Sequence, residues 1–422
     1  MQFTLAGSAS AKVFAMLCTF AQVPVALHYL GREGYGLWIT LMSIYGLLSV
    51  IDFGLGVGMA REMAAAFARD DHTRLRQAFH TGLVALALLG LAALVVGLPL
   101  IWWGDWGTWF KVADPELRAR VPAALAVILG AFALGLPGNA VAQLSASVQL
   151  NWWHSMWNAV GNALTLLAVW IAARAQWDFI PFVAVAALLP TVQNAGMGWL
   201  LHRRFGWHGR GPGLLSRAEI ARVLRASALF SLPQMIQATL GWLPAFAISL
   251  GAGAGAVTAF NLLQRLLSPV THTHGLLLVP LWPVYAEAHV RGDRAWLHQA
   301  RAKALLATCA AIGGIALICW QLPLLLRWWV GPDTMPPGAA LTWAAAGWFA
   351  LHTLNRHFHY YLLGVDRLKP LAVYSTLGFA GAVAGLLAGN QLAGPAWGLF
   401  LGSFCYGMLA LPGLMLASRD PA

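Results

Sequence analysis

Charge is scarce in this sequence: 26 Lys and Arg with 15 Asp and Glu make only 10% of 422 residues, against 59% hydrophobic residues. A soluble globular chain carries roughly 25% charged residues, so an ordinary water-facing surface cannot be built at this length. Cysteine is nearly missing too. Cys18, Cys309, Cys319 and Cys405 all lie in apolar stretches, and their spacing fits neither a zinc site nor a disulfide framework. They read as small packing residues. There is no Walker A sequence, and Gly54-Leu55-Gly56-Val57-Gly58 lacks the third glycine of a dinucleotide fingerprint. Neither ATP hydrolysis nor a cofactor is expected. A strongly basic segment before the first apolar stretch is also lacking. That stretch, about Leu5 to Leu27, is too long for a cleavable signal and reads as a first span.

What is present is a succession of continuous apolar runs. About 20 such residues cross a bilayer core of ~30 Å as a helix, and backbone polar groups in lipid must be satisfied within helices or closed barrels. Continuous rather than alternating hydrophobicity selects helices. Spans are predicted near 5–28, 36–60, 79–103, 121–145, 155–174 and 179–201, then near 226–249, 256–285, 304–329, 339–363, 371–390 and 396–417. The predicted fold is all-α: a polytopic membrane protein of about twelve helices in two pseudo-symmetric six-helix bundles. Residues 1–201 form the first bundle, 202–225 a basic cytoplasmic linker, and 226–422 the second bundle.

The net charge of +11 is explained by topology rather than by nucleic acid. One set of alternate loops holds seventeen Lys and Arg, the other six, which makes the richer side, and both termini, cytoplasmic. The halves also repeat. Leu30-Gly31 matches Leu250-Gly251, and the loop Arg69–Ala78 matches Arg291–Ala300 in Arg, Asp, Leu, Gln and Ala. A duplicated unit of six spans enters the membrane twice in the same sense, the layout in which substrate sites lie between halves.

The run Leu30-Gly31-Arg32-Glu33-Gly34-Tyr35-Gly36-Leu37-Trp38, followed by Asp52-Phe53-Gly54-Leu55-Gly56 and Arg61-Glu62, resembles the start of Wzx-type polysaccharide flippases. These belong to the multidrug/oligosaccharidyl-lipid/polysaccharide exporter superfamily, and the resemblance extends over the whole chain in helix count and half-and-half layout. It implies a multi-pass protein of the bacterial inner membrane that is not an enzyme. It implies movement of polyprenyl-diphosphate-linked oligosaccharide from the cytoplasmic to the periplasmic leaflet for surface polysaccharide such as lipopolysaccharide. The implied partners are that lipid-linked substrate, membrane lipid, a polysaccharide polymerase and other assembly proteins.

Ionisable residues inside spans are the residue-level sign of transport, because a charge at the bilayer centre costs about 2.5–3.5 kcal/mol on insertion scales. Lys12, Asp52, Arg265 and Arg356 are the candidates. Arg265 shares a helical face with Asn261, Ser268 and His272, a polar stripe on an apolar helix. Arg holds phosphate oxygens in bidentate fashion and stays charged in any environment, so Lys12, Arg265 and Arg356 could supply an anion site for a diphosphate. The alternative is structural: Arg265 and Arg356 tying helices together, and Lys12 snorkelling to the interface. Asp52 is either a coupling site, a partner for one of these cations, or a group bonded to backbone. Gln234, close to Pro233 and Gln237, is a further candidate facing the cavity. His272 and His274 lack the i, i+4 spacing of a zinc helix, and no metal is expected. A cation-coupled multidrug exporter of the same superfamily would prefer an acidic cavity. A membrane-embedded glycosyltransferase or ligase would need an acidic group on a sizeable outer loop, and the largest, 104–120, offers Asp105, Asp114 and Glu116 but little room.

Overall fold

A computed structural model describes residues 2–52, 54–207, 213–332 and 334–418, and every long regular element among them is helical. Nine helices among the described residues are long and apolar enough to cross a membrane. The first, α1 (Gln2–Leu48), is two spans in one, because Gly31 breaks it at φ 67°, ψ 179°, a left-handed backbone that favours glycine. Two more helices, α9 (Ala254–Leu278) and α13 (Ala339–Gly364), have 25 and 26 residues, enough for roughly 37 Å at 1.5 Å per residue. Polar residues including Arg265 and Arg356 keep them out of the apolar set. Counted so, the described residues hold the predicted twelve spans.

The chain divides into two compact units, Met1–Ser231 and Leu232–Ala422. The first holds α1, a 3-10 turn (Ser49–Asp52), α2 (Leu55–Ala68), α3 (His72–Trp103), the short α4 (Trp106–Trp109), α5 (Pro115–Ser147), α6 (Asn151–Arg174) and α7 (Phe179–Arg204). The next helix, α8 (Arg217–Ala252), runs across the division. The second unit continues with α9, α10 (Leu281–Val290), α11 (Arg294–Trp320), α12 (Leu322–Trp329), α13, α14 (Leu368–Ala393) and α15 (Pro395–Ala417).

Scarce acids mark the starts of helices. Asp71, Asp105, Asp114, Asp178 and Asp293 each accept a hydrogen bond from a first-turn backbone N–H, supplying an acceptor for groups that have none within the helix. At one end of the first unit Glu33 accepts from the Ala113 N–H, Arg120 pairs with Asp178, and the Tyr29 hydroxyl donates to the Trp177 carbonyl. In the second unit Arg301 donates to the Ser418 carbonyl at 2.7 Å and Arg367 to the Ala417 carbonyl, so two cations close the C-terminus of α15.

The repeat is sharper in the backbone than in the side chains. Gly31 and Gly253, Asp70 and Gly292, all at positive φ, and the capping acids Asp71 and Asp293 stand at one common offset of 222 residues. The hinge glycine equivalent to Gly31 is therefore Gly253, two residues beyond the Gly251 that letter matching pairs with it. At Gly31 and Gly253, and at Asp71 and Asp293, residue type and conformation agree; at Asp70 and Gly292 only the conformation does.

The described part of the linker is held on the first unit. Leu215 N–H donates to Thr81 Oγ1 at 2.9 Å, and Gln77 donates to the Leu214 carbonyl at 3.3 Å. Arg74 is clamped between Glu62 at 2.7 Å and Glu219 at 2.8 Å, so Glu62 is an ion-pair partner at this end of α2. The Ser216 N–H, the Ser216 hydroxyl and Arg74 hold the Glu219 carboxyl down to about 2. A depressed carboxyl favours the docked form above its unfolded value near 4.5, and that advantage is lost as pH falls towards 2. Spin-label distances between the 213–216 segment and α3 should accordingly broaden over that interval. Glu219→Gln should remove the pH dependence and leave the segment looser at neutral pH.

Candidate substrate site

The predicted site residues fall into both units: Lys12 and Asp52 in the first, Gln234, Asn261, Arg265, His272 and Arg356 in the second. Asp52 ends the 3-10 turn that interrupts the second span. The uninterrupted helix expected across 36–60 is in fact broken, because Gly54 adopts φ 72° as the N-terminal cap of α2. Asp52 Oδ1 accepts the Gly54 N–H at 3.1 Å. A Cβ built at Gly56 would meet Asp52 Oδ2 at 3.0 Å and the Gln143 amide nitrogen at 3.5 Å, so both polar groups crowd the start of the half-helix. Among the described residues no ion pair is recorded for Asp52. Lys12 is exposed on α1, far in sequence from this break.

In the second unit α9 carries Asn261, Arg265, Ser268 and His272 along one stripe. Exposure grades along it: Asn261 is buried, Arg265 and Ser268 are half-buried, and His272 is exposed. Asn261 donates to Gln264 at 3.2 Å, and Ser268 donates to the Gln264 carbonyl at 2.6 Å. Both are engaged within the helix. Arg265 makes no hydrogen bond or ion pair among the described residues. Gln234 is exposed on α8 and has a partner of its own.

Arg356 reaches from α13 to the Thr271 carbonyl of α9 at 2.6 Å. Thr271 lies six residues from Arg265, about 9 Å along the helix axis. Arg356 thus fastens α13 to α9, as the structural reading expects, while Arg265 stands on α9 itself. His274, also on α9, meets Thr308 Oγ1 at 2.9 Å, a buried hydrogen-bonding role.

Charge balance gives this arrangement its meaning. Beyond Leu232 the acids are Glu287, Asp293, Asp333, Asp366 and Asp420, and none falls in a predicted span. Away from the span ends, Arg265 and Arg356 therefore stand in the spans of the second unit with no carboxylate there to neutralise them. A buried cation without counter-charge is costly, and an anionic ligand removes that cost.

Sequence reasoning missed two groups. One is the Glu62–Arg74–Glu219 clamp. The other is a buried polar set formed by Gln237, His352, Asn355 and Tyr406, for which no local motif exists because its members come from α8, α13 and α15.

The sequence pattern of a family described as polysaccharide biosynthesis protein matches residues 6–288. The chain belongs to that family. Solved structures carry the same fold across nearly its whole length. An inward-closed lipid II flippase MurJ is similar at a TM-score of 0.73 and 10% identity, covering 98% of this chain and 87% of that one. An inward-facing multidrug resistance MATE family transporter of the MOP superfamily is similar at a TM-score of 0.70 and 14% identity, covering 96% and 94%. A MOP superfamily transporter from Pyrococcus furiosus is similar at 0.61 and 14%, covering 99% and 94%, and is described by a binding pocket of reversed polarity. No curated protein matches the sequence. The family member described here is a multi-pass membrane protein that shares the fold of these MOP superfamily structures.

Proposed function

We propose that this transporter flips polyprenyl-diphosphate-linked oligosaccharide from the cytoplasmic to the periplasmic leaflet of a bacterial inner membrane, with both termini cytoplasmic, by alternating access. Its product would feed a polymerase and other assembly proteins of surface polysaccharide such as lipopolysaccharide. The observation that carries this reading is the pair of arginines on and against α9 in a unit whose spans hold no acid. Guanidinium groups suit a diphosphate, whose oxygens they bind in bidentate fashion. The polyprenyl tail stays in lipid, so the protein need only carry the polar head across. Family membership supports the same direction. A cationic drug exporter is the second reading, and it favours acids where this chain has arginine.

Reconstitution into liposomes with a fluorescent polyprenyl-diphosphate saccharide tests the proposal. Protein-dependent loss of fluorescence to a membrane-impermeant quencher is the expected result. Export of a cationic dye, with the saccharide left in its original leaflet, would replace this function with the drug-export reading.

A further inference from the structure

The duplicated halves treat one helix face differently. At the common offset of 222 residues, Arg74, Gln77, Ala78 and Thr81 on α3 correspond to Trp296, Gln299, Ala300 and Lys303 on α11. In the first unit the linker covers that face: Gln77 donates to the Leu214 carbonyl, Thr81 accepts the Leu215 N–H, and Leu215 is 4% exposed. In the second unit Trp296, Gln299, Ala300 and Lys303 instead line an open groove of about 310 Å³. Leu277 and Leu278 of α9 and Leu281 of α10 form its other wall. No described residue fills it.

The groove exists because its α11 wall is small. Ala300, Ala304 and Ala307 offer only methyl groups to the leucines opposite. One turn further along both helices, His274 meets Thr308 Oγ1 at 2.9 Å and ties α9 to α11, which ends the space. From Trp296 to Ala307 it runs roughly 16 Å at 1.5 Å per residue. The span predicted from residue 304 takes in the apolar part, and Trp296, Gln299 and Lys303 stand just before that span, at headgroup level. Leu276, Leu305 and Leu306 around the groove are exposed, which suits hydrocarbon rather than water.

The exchanges at the mouth select the occupant. Thr81 offers an acceptor to a peptide N–H, whereas Lys303 offers an ammonium, three donors and no acceptor. Lys303 is the one charged residue lining the groove, and it makes no hydrogen bond or ion pair among the described residues. No acid lines the groove to receive the ammonium of a zwitterionic head. Apolar walls, a cation at the mouth and an indole beside it complement a lipid whose head carries net negative charge.

We propose that the groove between α9, α10 and α11 binds one anionic phospholipid of the surrounding leaflet. Its headgroup phosphate rests on Lys303, and an acyl chain lies against Leu277, Leu278 and Leu281. The lipid covers in the second unit the face that Leu214 and Leu215 cover in the first.

The test uses the purified full-length protein in detergent. Its thermal midpoint is followed as phosphatidylglycerol is added at constant ionic strength, with phosphatidylcholine as the comparison, and native mass spectrometry counts the lipid retained. The expected result is a saturable rise with phosphatidylglycerol, one lipid retained, and little response to phosphatidylcholine. Lys303→Gln should raise half-saturation about fivefold, the effect of one cation near a membrane surface, and Lys303→Arg should restore it. Lys369→Gln removes a cation outside the groove and should leave half-saturation where it was. Ala300→Leu narrows the groove and should weaken phosphatidylglycerol binding without lowering the lipid-free midpoint. Glycerol 3-phosphate, a headgroup without chains, should not compete. An equal response to both lipids, or a phosphatidylglycerol response unmoved by Lys303→Gln and Ala300→Leu, overturns the proposal. So does an equal loss in Lys369→Gln, which would make the attraction one of general surface charge. Competition by glycerol 3-phosphate would assign the mouth to a free phosphate, and displacement by polyprenyl diphosphate would assign the groove to the transported lipid; either result replaces the proposal.

Discussion

Arg265→Ala is expected to lower translocation of a polyprenyl-diphosphate saccharide by about 10- to 100-fold. The range follows from losing one hydrogen-bonded contact to a charged ligand, about 1.5–3 kcal/mol, at 1.4 kcal/mol per decade. Arg265 is the clean probe because it makes no hydrogen bond or ion pair among the described residues, so its removal breaks no recorded tie between helices. Arg265→Lys should fall between the two, since an ammonium keeps the charge but not the planar fork. Arg356→Ala should lower both transport and thermal midpoint, because it also removes the bond to the Thr271 carbonyl. The readout is the initial rate in liposomes at matched protein incorporation. An Arg265→Ala rate equal to wild type would remove this residue from the site and with it the main support for an anionic substrate.

The second large effect is on stability. Gly385→Val should destabilise the α14–α15 hairpin by about 1–3 kcal/mol or more, the usual range for overpacking. A Cβ at Gly385 would stand 2.5 Å from the Leu401 carbonyl oxygen and 2.7 Å from the Gly402 nitrogen. Backbone is what it meets, so no side-chain rotation relieves the clash and the helices must part. Gly381, Gly389, Gly398 and Gly402 line the same contact, the small-residue mode of packing in lipid, where apolar burial alone does not drive helices together. Gly313→Ala on α11 is the control. A Cβ there meets nothing within 4 Å, and alanine is the better helix former by about 1 kcal/mol. Its thermal midpoint should stay level or rise, whereas Gly385→Val should lose several degrees. Equal midpoints for all three proteins would show that the close approach of α14 and α15 is not limiting.

Glycine illustrates how unevenly the fold was legible. The four-residue spacing of Gly381, Gly385 and Gly389 announces a helix-packing face without any structure, because spacing on one helix fixes which residues share a side. Gly54 gives no such notice. Within an apolar run it looks like another small residue, and only its φ of 72° shows that the second span stops and restarts there. Asp52 changes accordingly from a charge inside a continuous helix to the acceptor beside a break in one. The repeat behaves likewise: letters place the second hinge at Gly251, conformation at Gly253.

What the sequence by itself determined is whatever depends on residues close together along the chain or on bulk composition. Twelve apolar runs make twelve spans because lipid leaves the backbone no other way to satisfy its hydrogen bonds. The excess of arginine in alternate loops assigns an expected sidedness by the same local logic, and the lone cations stand out because their neighbours are apolar. Tertiary structure alone decided everything that depends on groups from different helices. It turned Arg356 towards Thr271 and left Arg265 without a hydrogen bond or ion pair among the described residues. It pinned Arg74 between Glu62 and Glu219, and gathered Gln237, His352, Asn355 and Tyr406 around one hydroxyl. No helical period links residues more than 150 positions apart; only packing of the helices brings their side chains within reach of one another.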